Sequence, residues 1–156
     1  MREWPLIAPL AKRVAIVRSR LSARSTLGVR VMVRDEGARV LLLRHTYLPG
    51  WYFPGGGVEA GETVGEAGER EVLEETGIRL IAPPRLVSMH LNLRVSPRDH
   101  VAFLVADTVD ARPAARLGEI AEVGFFALDA LPEGVTGATS RRLDEIVRGA
   151  VPERTW

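Results

Sequence analysis

Glu71, Glu74 and Glu75 lie in the stretch GGGVEAGETVGEAGEREVLEETGI, residues 55–78. Spacings of three and four place them along one face of an α-helix. Three like charges on one stripe repel, so the helix gains nothing from them locally. A divalent cation would give the arrangement a purpose. A hard ion such as Mg²⁺ takes oxygen ligands, usually one or two carboxylates together with waters and substrate phosphates.

The helix that must present these carboxylates has a legible start and stop. Thr63-Val64-Gly65-Glu66 has the form of a capping box, with Thr63 as the N-cap and Glu66 at the third helical position. Gly77 follows the last helical residue and suits the left-handed conformation that ends a helix. Val64, Ala67, Val72 and Leu73 are the expected apolar contacts. Gly65 and Gly68 each weaken the helix by about 1 kcal/mol relative to Ala. Tertiary packing and a bound metal are expected to offset that cost. Ahead of the helix, the glycines at 55–57 allow the backbone to come close to a ligand or a metal.

The positions Gly56, Glu62, Arg70, Glu71, Val72, Glu74, Glu75, Gly77 and Ile78 resemble the signature of the Nudix hydrolases. That signature reads Gly, five residues, Glu, seven residues, Arg-Glu, an aliphatic residue, any residue, Glu-Glu, any residue, Gly, aliphatic. Every fixed position is met. An acidic solvent-facing helix would explain three glutamates alone, but not the glycines, Glu62 and Arg70 in register with them.

The resemblance implies a Nudix-like α/β/α sandwich around a mixed β-sheet. It also implies metal-dependent hydrolysis of a nucleoside diphosphate linked to another group. Glu71, Glu74 and Glu75 would hold Mg²⁺, with Mn²⁺ as an alternative, and a backbone carbonyl of Gly55 or Gly56 would join them. The ions would bridge phosphate oxygens and lower the pKa of a bound water. Arg70 would orient a carboxylate. Glu62 would brace Arg70 or reach a metal through water. Glu119 or a box glutamate would be the base. Arg44 would contact substrate phosphate; the plainer reading is a strand-end arginine paired with a surface acid.

The remaining segments read as a single α/β domain. Residues 28–33 and 39–44 are Val- and Leu-rich strands joined by Asp35-Glu36-Gly37 turn chemistry. Leu41-Leu42-Leu43 suits an interior strand covered on both faces. Pro49-Gly50 marks a loop, after which Trp51 either stacks a base or packs in the core. Residues 85–93 and 100–109 read as two more strands. His90 and Asn92 share a face of the first, where they either face substrate or are hydrogen-bonded in place. Many Nudix enzymes place glutamates before an aromatic strand. The corresponding run here is GEIAEVGFFALDALPEG, with Gly124-Phe125 where a Trp is usual. Residues 139–150 form a closing helix with Leu143, Ile146, Val147 and Ala150 on one stripe.

The chain has 156 residues, 46% hydrophobic and 26% charged, a size and balance that suit one packed domain. No apolar run is long enough to span a membrane. There is no cysteine, so no disulfide framework and no thiolate chemistry, which fits a cytoplasmic protein. The net charge of +1 conceals an asymmetry: residues 1–34 carry eight basic residues and one acid, the remainder a net −6. Within that basic stretch, residues 5–21 have the stripe of an amphipathic helix, Ile7, Leu10, Val14, Val17 and Leu21. It is expected to pack on the sheet or on a second copy in a homodimer, with a membrane-surface helix as the alternative. The expected division is a helical extension over residues 1–25 and a Nudix domain over residues 26–156.

No downstream mark narrows the substrate. Leu93 stands where ADP-ribose enzymes often have a proline, with Pro97 displaced from it, and neither tyrosine follows the box. A (deoxy)nucleoside triphosphate or similar small nucleotide is therefore the expected substrate, with an ADP-ribose or sugar-nucleotide pyrophosphatase as an alternative. A non-catalytic nucleotide sensor is the competing class. No nucleic-acid partner is expected.

Overall fold

The computed structural model describes residues 25–156. The helix expected over residues 5–21, and with it the proposed extension, lies outside the described residues. The elements run β1 (Thr26–Arg34), β2 (Val40–His45), α1 (Val64–Thr76), β3 (Arg85–Leu91), β4 (Asp99–Asp107), β5 (Ile120–Phe126) and α2 (Gly137–Arg148).

The five strands form one mixed sheet in the order β3-β4-β1-β2-β5. β1 and β4 pair in parallel from Thr26↔Asp99 to Arg34↔Asp107, and the other pairs are antiparallel. Side chains alternate across the interior strands. Val29, Val31 and Val33 of β1 join Ala67 and Val72 of α1 in one core cluster. Met32, Leu42, Phe53 and Phe103 join Leu143 of α2 in a second cluster on the opposite face. The sheet is thus covered by a helix on each side, the α/β/α sandwich expected from the sequence. Leu41, Leu42 and Leu43 are all fully buried, as a strand covered on both faces requires. No described helix is long and apolar enough to cross a membrane.

Element boundaries differ from the sequence reading where tertiary pairing decides them. β1 starts at Thr26 because β4 pairs with it from that point. β3 stops at Leu91 because the Asn92 carbonyl accepts from the amides of Val95 and Ser96, which turns the chain. α2 starts at Gly137 because Thr136 caps it, its side chain accepting from the Thr139 amide.

α1 has the expected ends. Thr63 and Glu66 exchange both capping-box hydrogen bonds, and Gly77 closes the helix at φ 70°. Leu73 is the exception among the expected apolar contacts, being 38% exposed. Gly68, which costs helix stability locally, has a packing reason. A Cβ there would lie 3.1–3.2 Å from Leu104, Val31 and Pro84. The glycine lets α1 sit close to the sheet and fixes the height of its carboxylates above β1.

Candidate active site

The glycine loop is laced to β1 by its backbone. Val31 donates to the Pro54 carbonyl at 2.9 Å, Val29 to the Gly56 carbonyl at 2.8 Å, and Val58 to the Leu27 carbonyl at 3.0 Å. Arg30 reaches across from β1 and donates to the carbonyls of Phe53 (3.0 Å) and Gly55 (3.3 Å). Two glycines are demanded by this approach. Gly55 has φ 153°, and a Cβ there would lie 2.0 Å from the Val29 carbonyl oxygen. A Cβ on Gly56 would lie 2.2 Å from Oε1 of Glu71.

Against this loop α1 places its acids. Glu75 is 1% exposed and accepts from the Gly55 amide at 2.9 Å. Glu71 is also buried, while the side chain of Glu74 is 45% exposed. Arg70 ties the group together. It donates to Glu62 through Nε (2.7 Å) and Nη2 (3.0 Å), to Glu71 through Nη1 (2.9 Å), and to the Gly57 carbonyl through Nη2 (3.0 Å). Its Nη1 also stands 3.8 Å from Glu74. Glu62 is therefore the brace of Arg70, one of the two roles open to it from sequence. The hydrogen bond from Arg70 holds the Glu62 carboxyl down at about 2, and the same pair raises the pKa of Arg70.

Glu119 enters from the far end of α1. Ala114 and Arg116 donate backbone hydrogen bonds to the carbonyls of Thr76 (2.8 Å) and Glu75 (3.2 Å), seating the loop before β5 on the end of the helix. The Arg116 guanidinium then stands 3.6 Å from Glu74 and 3.6 Å from Glu119. Sequence reasoning missed Arg116. Its position three residues before Glu119 was visible, but its reach to Glu74 exists only once the loop docks.

Two further sequence candidates are engaged in other ways. Arg44 pairs with Glu122 of β5 at 2.6 Å on an exposed part of the sheet. Trp51 packs edge-on against Phe126, ring centroids 5.0 Å apart, in the cluster on the α2 face. The plainer alternative for each accounts for these contacts.

Among the described residues, no three acidic or histidine side chains converge closely enough to enclose an ion. As placed, Glu71 and Glu74 face arginines and Glu75 faces the Gly55 amide. The donor set still suits a hard cation. Every group is a carboxylate oxygen, and Gly56 lacks the Cβ that would collide with Glu71. Glu74 is the most exposed of the three, and its arginine neighbours stand at 3.6 and 3.8 Å, against 2.9 Å for the one on Glu71.

A NUDIX domain family model matches residues 24–145. Among curated proteins, a candidate 8-oxo-dGTP diphosphatase of Bacillus subtilis (strain 168) is 46% identical over 52 residues, 33% of this chain and 35% of that protein. A Xenopus laevis protein named m7GpppN-mRNA hydrolase NUDT17 is 48% identical over 59 residues, 35% of this chain and 20% of that protein. The chain thus matches about a third or less of the length of either relative. Among solved structures, a MutT NUDIX hydrolase from Burkholderia pseudomallei superimposes with a TM-score of 0.67 at 28% identity, covering 79% of this chain and 98% of that one. An ADP-ribose pyrophosphatase from Streptococcus suis 89-1591 gives 0.62 at 25% identity, covering 82% and 96%. Nudix hydrolases generally use a divalent metal such as Mg²⁺ and act on small nucleotide substrates. With the box complete, its helix seated against the glycine loop and the sandwich closed around it, the chain belongs to the Nudix hydrolase family.

Proposed function

We propose that this protein is a Mg²⁺-dependent pyrophosphohydrolase acting on a (deoxy)nucleoside triphosphate or similar small nucleotide. Water adds to one phosphorus and the bridging P–O bond breaks, giving a nucleoside monophosphate and pyrophosphate with release of a proton. The observation that carries the reading is the set of contacts from Gly55 to Glu75, Arg70 to Glu71 and Arg70 to Glu62, which fixes two buried carboxylates beside a glycine loop. Such prepositioning is what phosphoryl chemistry draws on, since most of its acceleration is electrostatic and positional.

Glu71, Glu74 and Glu75 would hold the metal, with the Gly55 carbonyl as a further donor. Bound there, the ion would neutralise phosphate charge and acidify a water. Arg70 orients Glu71 and is itself held by Glu62. Glu119, 20% exposed and brought to the end of α1 by the loop, is the candidate base. Arg116 lies between Glu74 and Glu119 and keeps the two acids from repelling each other before substrate arrives.

The test is a panel of nucleoside triphosphates, ADP-ribose, sugar nucleotides and dinucleoside polyphosphates, each incubated with the protein and Mg²⁺ and read by product mass. Monophosphate plus pyrophosphate from triphosphates supports the proposal. Cleavage confined to ADP-ribose or sugar nucleotides moves the substrate to that class. Tight nucleotide binding with no product makes the domain a sensor.

A further inference from the structure

The described arginines that are drawn out of solvent meet acids, with one exception. Arg30, Arg34, Arg70, Arg141 and Arg142 are all at least partly buried. Arg34 pairs with Asp107 at 2.9 Å, Arg70 with Glu62 at 2.7 Å, Arg141 with Glu153 at 3.4 Å and Arg142 with Glu145 at 2.6 Å. Among the described residues Arg30 pairs with no carboxylate, and its hydrogen bonds go to the main-chain carbonyls of Phe53 and Gly55. Drawing a charge out of water has a cost that an opposite charge normally offsets. Two carbonyls supply dipoles but no negative charge.

Both of those bonds come from Nη1, at 3.0 Å and 3.3 Å. They fix the guanidinium in place, and its central carbon stands 6.0 Å from the centre of the Tyr52 ring. Nε and Nη2 remain. These two nitrogens present parallel N–H bonds, a fork that matches two oxygens of a carboxylate or a phosphate. The chain uses the same fork elsewhere. Arg34 donates through Nε and Nη2 to the two oxygens of Asp107, and Arg70 donates through Nε and Nη2 to the two oxygens of Glu62.

Arg30 also stands beside the carboxylate group. The Gly55 whose carbonyl it holds donates its own amide to Glu75. With Gly56 and Gly57, Arg30 lines a cavity of about 610 Å³, a size that suits a small organic ligand. The other arginines near the loop are spent. Arg70 commits Nε, Nη1 and Nη2 to Glu62, Glu71 and the Gly57 carbonyl, and Arg44 pairs with Glu122. We infer that Arg30 is a substrate-binding residue that grips a phosphate of the bound nucleotide through Nε and Nη2, two phosphate oxygens standing where the other arginines have a carboxylate. Arg30 thereby takes the role that the sequence offered to Arg44. This assignment rests on the proposed nucleotide hydrolase and names a residue that its substrate meets.

The test compares kcat and KM, with Mg²⁺ and the triphosphate that the panel shows to be cleaved, in the wild type, Arg30→Met and Arg30→Lys. A cation fixed on a phosphate holds ground state and transition state alike, so Arg30→Met should raise KM by about 10-fold or more and change kcat by less than about 3-fold. Lysine keeps the charge and loses the fork, so Arg30→Lys should raise KM by about 3-fold or more. Titration of the nucleotide-free proteins with Mn²⁺ separates this role from a purely structural one. An arginine that only shapes the glycine loop would alter metal affinity, whereas a phosphate contact should leave it within about 2-fold of wild type. Unchanged KM in Arg30→Met overturns the assignment and leaves the hydrolase standing. Loss of Mn²⁺ affinity in step with the rise in KM also overturns it. If Arg30→Met does not fold, Arg30→Lys decides, and a wild-type KM in that variant overturns the grip. No hydrolysis of any nucleotide by the wild type overturns both readings.

Discussion

The main-chain amide of Gly55 donates to the Glu75 carboxylate across 2.9 Å, joining the glycine loop to the last turn of the helix. The contact depends on how near the loop lies to β1, where a Cβ on Gly55 would sit 2.0 Å from the Val29 carbonyl oxygen. Gly55→Ala should therefore destabilise the fold by about 3 kcal/mol or more, combining backbone strain with overpacking. Gly57, with open space around its Cβ position, is the control, and Gly57→Ala should shift stability by less than about 0.5 kcal/mol. Urea denaturation of both variants checks this, and equal effects would contradict it.

Glu75→Gln separates the carboxylate's charge from its shape. The glutamine oxygen still accepts from the Gly55 amide, so the thermal midpoint should move little. Turnover should fall by orders of magnitude, because the lost charge is the one the proposed metal requires. A purified variant with near wild-type rate removes Glu75 from the chemistry.

Glu62 gives a pH signature. Its carboxyl is held at about 2 by Arg70, below the ordinary 4.5 it regains on unfolding. The unfolded chain therefore binds more protons between those values. The stabilisation from Glu62 is fully present above pH 4.5 and is lost as pH falls toward 2. Acid unfolding curves of the wild type and Glu62→Gln should be well separated above pH 4.5 and converge near pH 2. Curves that run parallel throughout would mean that the ion pair contributes nothing in solution.

Arg142 offers a test away from the site. It is fully buried, donates to Glu145 at 2.6 Å, and contacts His90 at 2.6 Å. Arg142→Met leaves the Glu145 carboxylate buried without its charge partner and should cost about 3–5 kcal/mol. The double variant Arg142→Met, Glu145→Met should recover much of that loss. Chemical denaturation of the single and double variants gives the coupling, and simple additivity would contradict it.

Much of this was legible in the chain. The capping box from Thr63, the stop at Gly77, the turn at Asp35 and the covered strand at Leu41–Leu43 are local patterns, set by residues a few positions apart. The box residues were legible as a set because they resemble the Nudix signature at every fixed position; spacing by itself placed only Glu71, Glu74 and Glu75 on one helix face. What sequence could not show are contacts made after the sheet closes. Arg116 reaches Glu74 only when the loop before β5 docks on α1. Arg44 and Trp51 each had a functional and a packing reading. The partners Glu122 and Phe126, far along the chain, supply the packing one. The cost of Gly68 was visible, whereas its reason, the closeness of Leu104, Val31 and Pro84, was not.

Thr26 and Asp99, which open the parallel pair of β1 and β4, are 73 positions apart, and every later pair in that register shares the separation. The turn, the glycine loop, α1 and β3 all lie inside the loop of chain that this pairing closes. Closing so long a loop is an early entropic cost that local contacts do not offset, and such topologies fold slowly. The acids of α1 are therefore gathered within the same stretch whose closure sets the pace of folding. A refolding assay that follows β1–β4 pairing should see ordering of the box helix and completion of the sheet in one kinetic phase.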